Sequence, residues 1–141
     1  MPMLSPIKIR RRARGEKGQS LTEFALLLPI LLMLLVGVVE IGWGLNSYLT
    51  VVDSARDGAR LGSKGSATDA EITALVVRET ERLEGGIDPS NISIVRSTAA
   101  DGSTSIDVQV CYDHVLIMGV PMIVPDPLQI CSSTTMPTVE N

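Results

Sequence analysis

Hydrophobic positions fall into three regimes along the chain. Phe24 through Val39 is an apolar run of 16 residues without a charge, bounded by Glu23 and Glu40. It resumes as Ile41, Gly42, Trp43, Gly44 and Leu45, which predicts one long helix through residue 62. Gly62-Ser63-Lys64-Gly65-Ser66 then reads as a break. The second regime is helical: Thr68 and Glu71 suit a capping box, and Ile72, Leu75, Val76, Glu79 and Leu83 keep helical spacing up to Gly85-Gly86. The third alternates at period two, over 91–97, 104–112 and 128–136, with Asp101-Gly102 as the turn between the first two strands. The expected fold is α+β: a long N-terminal helix, then a small domain of one helix and a short antiparallel sheet over 65–141. The tail after Pro137 is expected to fray.

The apolar run is long enough for a membrane. As a helix, Phe24–Val39 spans about 24 Å, and continuation to residue 45 covers a hydrocarbon core of about 30 Å. Glu40 falls near the outer interface, where a carboxylate costs less than at the bilayer centre. Trp43 and Tyr48 stand where interfacial aromatics concentrate. A buried core helix is the alternative, but 141 residues offer too little protein to wrap it. A secretory signal peptide would have a shorter apolar stretch and a small-x-small cut after it. Pro125 and Pro127 mark the later apolar stretch, Val115 to Val124, as a loop rather than a second span.

Charge gives the span a direction. Six of the 12 Lys and Arg residues, but only Glu16 of the 16 acidic ones, lie within residues 1–18. A basic tip before an apolar run places the N-terminus in the cytoplasm and everything beyond about residue 45 outside it. The remaining chain is acidic, which argues against nucleic acid as a partner. Aromatics are 3% of the residues, so the core must be aliphatic.

Lys17-Gly18-Gln19-Ser20-Leu21-Thr22-Glu23-Phe24 sets a glycine after the basic tip, with a lone carboxylate five positions later at the mouth of the apolar helix. This resembles the processing site of type IV pilins, and most closely that of the pilin-like TadE family of the Tad (Flp) pilus system. The resemblance implies a leader, residues 1–18, removed by a prepilin peptidase between Gly18 and Gln19. Glu23 would then be the pilin-type carboxylate, costly at a membrane helix end unless paired, and a neighbouring subunit's new amino terminus supplies the pair. Pro29, within Leu-Leu-Leu-Pro, is typical of the family and implies a kink near residues 25–29. Asp53-Ser54-Ala55-Arg56-Asp57-Gly58-Ala59-Arg60 looks like the family's stretch after the membrane helix. There Asp53 reaches Arg56 and Asp57 reaches Arg60 at i,i+3. Ala55, Gly58, Ala59 and Gly62 form a small-residue face that lets another helix approach closely. With Phe24 and Pro29 they make up the expected packing surface. The resemblance covers 17–62 well and 104–136 loosely.

Cys111 and Cys131 fall on the second and third strands. In an oxidising outer compartment that count reads as one disulfide, worth about 3 kcal/mol, which matters for a domain below about 80 residues. Two buried free thiols are the alternative, and the compartment favours the disulfide. No CxxC occurs and His114 is the sole histidine, so no metal site is expected. Asp113-His114 is the one acid–base pair worth naming, but no nucleophile accompanies it, so His114 reads as a surface or loop residue. Asp88, Asp101 and Asp126 read as turn residues. Neither an enzyme activity nor a cofactor is expected.

The leading reading is a structural subunit: a minor pilin or pseudopilin that primes or caps a Tad filament. It would be an inner-membrane precursor with its 65–141 domain in the periplasm, and outside the cell once in a pilus. Its partners would be other Tad pilins and pseudopilins, the peptidase, the inner-membrane assembly platform and the membrane itself. The alternative is an uncleaved single-pass scaffold docking on a secretion or pilus assembly complex. A tip adhesin, with 65–141 as contact surface, is a variant of the first.

Overall fold

The computed structural model describes residues 16–117 and 127–139. Its elements run α1 (Glu16–Gly62), α2 (Asp69–Glu79), a 3-10 turn (Pro89–Asn91), β1 (Ile92–Thr98), β2 (Thr104–His114) and β3 (Leu128–Pro137). The fold is α+β, with a three-stranded antiparallel sheet in the order β1-β2-β3. The basic tip before Glu16, most of the Val115–Val124 loop and Asp126 lie outside the described residues. Two compact units divide the chain, one up to Gly37 and one from Val38 onward. The second therefore begins inside α1.

In the first unit α1 is apolar around its circumference. Leu26, Leu27, Ile30, Leu31 and Leu34 are all exposed, the arrangement of a helix surrounded by lipid rather than by its own chain. The helix is long and apolar enough to cross a membrane. It runs through Pro29, whose missing N–H leaves the Ala25 carbonyl without its usual partner.

In the second unit the rest of α1 becomes the centre of a core. Ser47, Val51, Ala55 and Ala59, four residues apart, are completely buried along one stripe. Against them pack Ile72 and Val76 of α2 and Ile106, Val108, Val110 and Tyr112 of β2, with Leu83 and Ile87 closing one end. β2 is the central strand and β1 and β3 are edges, so β2 alone buries its inward residues fully. Its alternation runs two residues beyond the expected end, to His114.

Local chemistry sets the element ends. The Thr68 hydroxyl accepts from the Glu71 amide at 3.3 Å and the Thr68 amide donates to the Glu71 carboxylate at 2.8 Å, the reciprocal capping box. α2 ends four residues before Leu83 because the Thr80 hydroxyl donates to the carbonyls of Val76 and Val77, at 2.8 and 3.0 Å. Leu83 still reaches the core, through a turn closed by its amide on Thr80 at 2.9 Å. In the β1–β2 turn Gly102 takes φ +85, a left-handed angle that suits glycine, and Asp101 accepts from the Ser103 amide at 2.9 Å. Arg96 on β1 bonds Asp69 and, at 3.0 Å, the Ala67 carbonyl, tying the sheet to the start of α2. The tail does not fray at Pro137. The Thr138 amide bonds Thr104 and the Val139 amide bonds Ser63, both at 2.9 Å.

Cys111 and Cys131 sit opposite each other on β2 and β3, on the face turned away from the helices, and are joined by a disulfide with Cα atoms 4.1 Å apart. It closes a chain separation of 20 residues. Changing Cys111→Ser and Cys131→Ser together should lower the unfolding free energy by about 3 kcal/mol, read by denaturant titration, and reductant should do the same to the unaltered protein. An unaltered midpoint under reductant would show that the bridge contributes nothing.

Acid stability follows from the caps. Glu71 titrates below its ordinary 4.5 because the Thr68 amide, and then its hydroxyl, donate to the ionised carboxylate. Asp88 and Asp101 titrate below 3.8 because Ser90 and Ser103 donate to them, hydroxyl first and amide second. A folded pKa held below the unfolded one gives stability that is complete above the unfolded value and is lost as pH falls through the folded one. Thermal midpoints should therefore hold above pH 4.5 and fall below 3.8. Combining Glu71→Gln, Asp88→Asn and Asp101→Asn should make that acid limb shallower in melts followed by circular dichroism.

Candidate processing site and helix-packing surface

The predicted cut falls inside a helix. α1 begins at Glu16, before Gly18, and the Thr22 hydroxyl donates to the carbonyls of Gly18 and Gln19, at 2.7 and 3.0 Å. The Gln19 side-chain amide donates to the Glu23 carboxylate at 3.1 Å, one helical turn away. These groups are all exposed, so the Gly18–Gln19 bond and the carboxylate occupy adjoining turns of one accessible helix end. A protease needs that turn opened, and helix ends open most readily. Phe24 is 63% exposed and Pro29 is exposed too, so both offer their surface to lipid or to another protein.

The small-residue stripe is used within the chain. A Cβ added at Gly58 would stand 2.9 Å from Val76 Cγ2 and 3.2 Å from Val108 Cγ1, and at Gly62 it would crowd Ile106 and Ile72. With Ala55 and Ala59 fully buried, the close approach predicted for this face is made by α2 and β2 of the same chain. The residues expected together as one packing surface thus separate: Phe24 and Pro29 lie open, while Ala55, Gly58 and Ala59 are covered.

The charged motif closes only in its first half. Arg56 lies 3.8 Å from Asp53 in an exposed pair. Asp57 and Arg60 form no ion pair with each other among the described residues, because on an open helix face the Coulomb gain barely matches the entropy of fixing two long side chains.

His114 is the residue that sequence reasoning misplaced. It is not on the surface: at 2% exposure it ends the inward line of β2. Its Nδ1 lies 3.4 Å from the Ser47 hydroxyl, while Nε2 is buried with no hydrogen-bond partner among the described residues. The Trp43 ring meets it edge-on and Tyr112 tilts against it, each with centroids 6.1 Å away. Asp113, its neighbour in sequence, faces the other side of the sheet and accepts from the Gln129 side chain at 3.3 Å. Strand pleating thereby separates the one candidate acid–base pair. The signal was present, since Ile106, Val108, Val110 and Tyr112 extend to His114 at period two. The Tyr112 hydroxyl donates to the Glu84 carbonyl at 2.9 Å, and burial, then the Glu84 charge, push its pKa up.

One apolar helix, long enough to cross a membrane, continues at its C-terminal half into the core of a small α+β unit. Residues 18–60, from Gly18 through the charged motif, match the family model described as TadE-like protein. No curated protein and no solved structure matches the chain.

The stripe gives a direct test. Gly58→Ala gains about 1 kcal/mol of helix propensity but overpacks stiff valines at a cost of about 1–3 kcal/mol. A net loss of about 1 kcal/mol is expected in thermal unfolding. Gly42→Ala, with nothing within 4 Å of the added methyl, should hold or raise the midpoint.

Proposed function

We propose that this protein is a minor pilin or pseudopilin of a Tad-type pilus, a structural subunit inserted by α1 to prime or cap the filament. It is made as a single-pass inner-membrane precursor, with its basic N-terminus in the cytoplasm and the disulfide-closed unit in the periplasm. A prepilin peptidase cuts after Gly18, and the assembly platform and other Tad pilins receive the mature chain. The supporting observation is the conjunction at the start of the family match: Gly18 opens it, and Glu23 lies one turn beyond Gln19 on the same exposed helix end. Cutting there removes the basic tip and leaves an ammonium group at Gln19. A carboxylate at a membrane helix end is costly unless paired, and a neighbouring subunit's ammonium meets that need as the helix leaves the bilayer.

The open surface of α1 through Phe24, Pro29 and the leucines suits contact with other pilin helices, while the stripe at Ala55, Gly58 and Ala59 holds the subunit together. One observation favours an uncleaved scaffold instead: the helix runs unbroken across the Gly18–Gln19 bond. The measurement that separates the two is the N-terminus and intact mass of the protein from its native membrane. A start at Gln19 is expected. Glu23→Ala should still be cut, yet fail to enter filaments. A start upstream of Gly18, in cells whose peptidase processes other pilins, would leave the scaffold reading.

A further inference from the structure

The apolar character of α1 does not stop at Glu40, although the uncharged run does. Ile41, at 73% exposure, then Leu45, Tyr48 and Leu49 remain open at intervals that place them on one side of the helix. The facing wall is made by Leu116 and by Leu128 and Ile130 of β3, and the groove between them, about 430 Å³, is lined almost wholly by apolar atoms. Beyond the end of β2, Val115 and Ile117 are exposed as well. This segment is fastened to the helix: the Ile117 amide donates to both Glu40 carboxylate oxygens, each at 3.0 Å. Ile117 therefore lies at the level of the first charge after the 16-residue apolar run.

We propose that this end of the folded unit is sunk in the lipid headgroup layer, with Ile41, Leu45 and Tyr48 on the helix and Val115 and Ile117 on the segment beyond β2 as its lipid-facing residues. The inference rests on the membrane reading of α1 and adds a second, non-helical contact with the bilayer. Its first support is continuity, since the surface begins where the apolar run ends. Its second is the charge boundary. From Ile41 through Val52 the helix carries no charge, and the exposed charges Asp53, Arg56, Asp57 and Arg60 begin only after it. Five to eight residues of helix beyond Glu40 rise about 8–12 Å, which carries this surface from the outer edge of the hydrocarbon into a headgroup layer of about 5–8 Å. Its third is the amphipathic pair Trp43 and Tyr48, the residue types that settle at that depth. The Glu40–Ile117 bond gives the carboxylate a backbone donor at a depth where an unpaired one is costly.

The chain has one tryptophan, Trp43, which makes the test direct. The full chain is reconstituted in phosphatidylcholine vesicles with and without lipids brominated near the headgroup. Trp43 in the unaltered protein reports helix insertion. Val115→Trp and Ile117→Trp, each in a Trp43→Phe chain, report the new contact, and Val95→Trp on the exposed side of β1 serves as control. Expected are blue-shifted emission and loss of intensity on brominated lipid for Trp43 and for the probes at 115 and 117, with neither at 95. Water-like, unquenched emission at both 115 and 117, with Trp43 quenched, would overturn the proposal and leave the membrane span standing. Absence of quenching at Trp43 would sink the membrane reading itself. Blue-shifted emission at 115 and 117 without quenching would mean that a second copy of the chain, not lipid, covers this surface, and would also overturn it.

Discussion

One helix is open and apolar along its first half and packed into a core along its second, and the rest of the structure follows from that change. Up to Gly37 its apolar side chains, Val36 apart, are open, and the helix is long and apolar enough to cross a membrane. From Ser47 onward the same helix narrows to a stripe of Ser, Val, Ala and Gly against which α2 and β2 close. Small residues are needed there because Val76, Val108, Ile72 and Ile106 come up to the helix backbone itself. Larger side chains on the stripe would push the sheet away from the long helix that it packs on.

A sheet of three strands covered on one face is a modest source of stability, and fixed local points supplement it. The Thr68–Glu71 box starts α2, Arg96 links β1 to that start, and the disulfide fastens β3 to β2 on the uncovered face. Such points also restrict register, because a one-residue slip of β3 would separate the cysteines and turn Ile130 and Met136 outward.

This division of labour bears on the pilin reading. The stripe after the apolar run is consumed by the chain's own fold, so in the proposed pilin it is the open apolar surface nearer Glu23 and Phe24 that is left for assembly contacts. On that proposal, subunit integrity and subunit recruitment use different stretches of one helix. The charged motif, with one exposed pair between Asp53 and Arg56 among the described residues, lies on the solvent-facing side and contributes little to the stability of the fold.

Much of this was written locally. The apolar run, the capping box, the strand periods and the glycine–carboxylate spacing at Gly18 and Glu23 are set by neighbours a few residues apart, and a one-dimensional pattern records them. The disulfide was inferred from cysteine count and compartment. What the pattern did not carry was partner choice. A stripe of small residues states that something approaches closely, and only the tertiary structure decided that α2 and β2 do so. The end of α2 was set by the Thr80 hydroxyl competing for helix carbonyls, an outcome no hydrophobic period contains. His114 needed both levels: its period-two position was legible, but a polar side chain reads as exposed until Ser47, Trp43 and Tyr112 from other parts of the fold enclose it. Sequence by itself determined the elements and the medium each prefers, because propensity and periodicity act at short range. Tertiary structure decided which faces meet, because packing depends on shape between residues far apart in the chain.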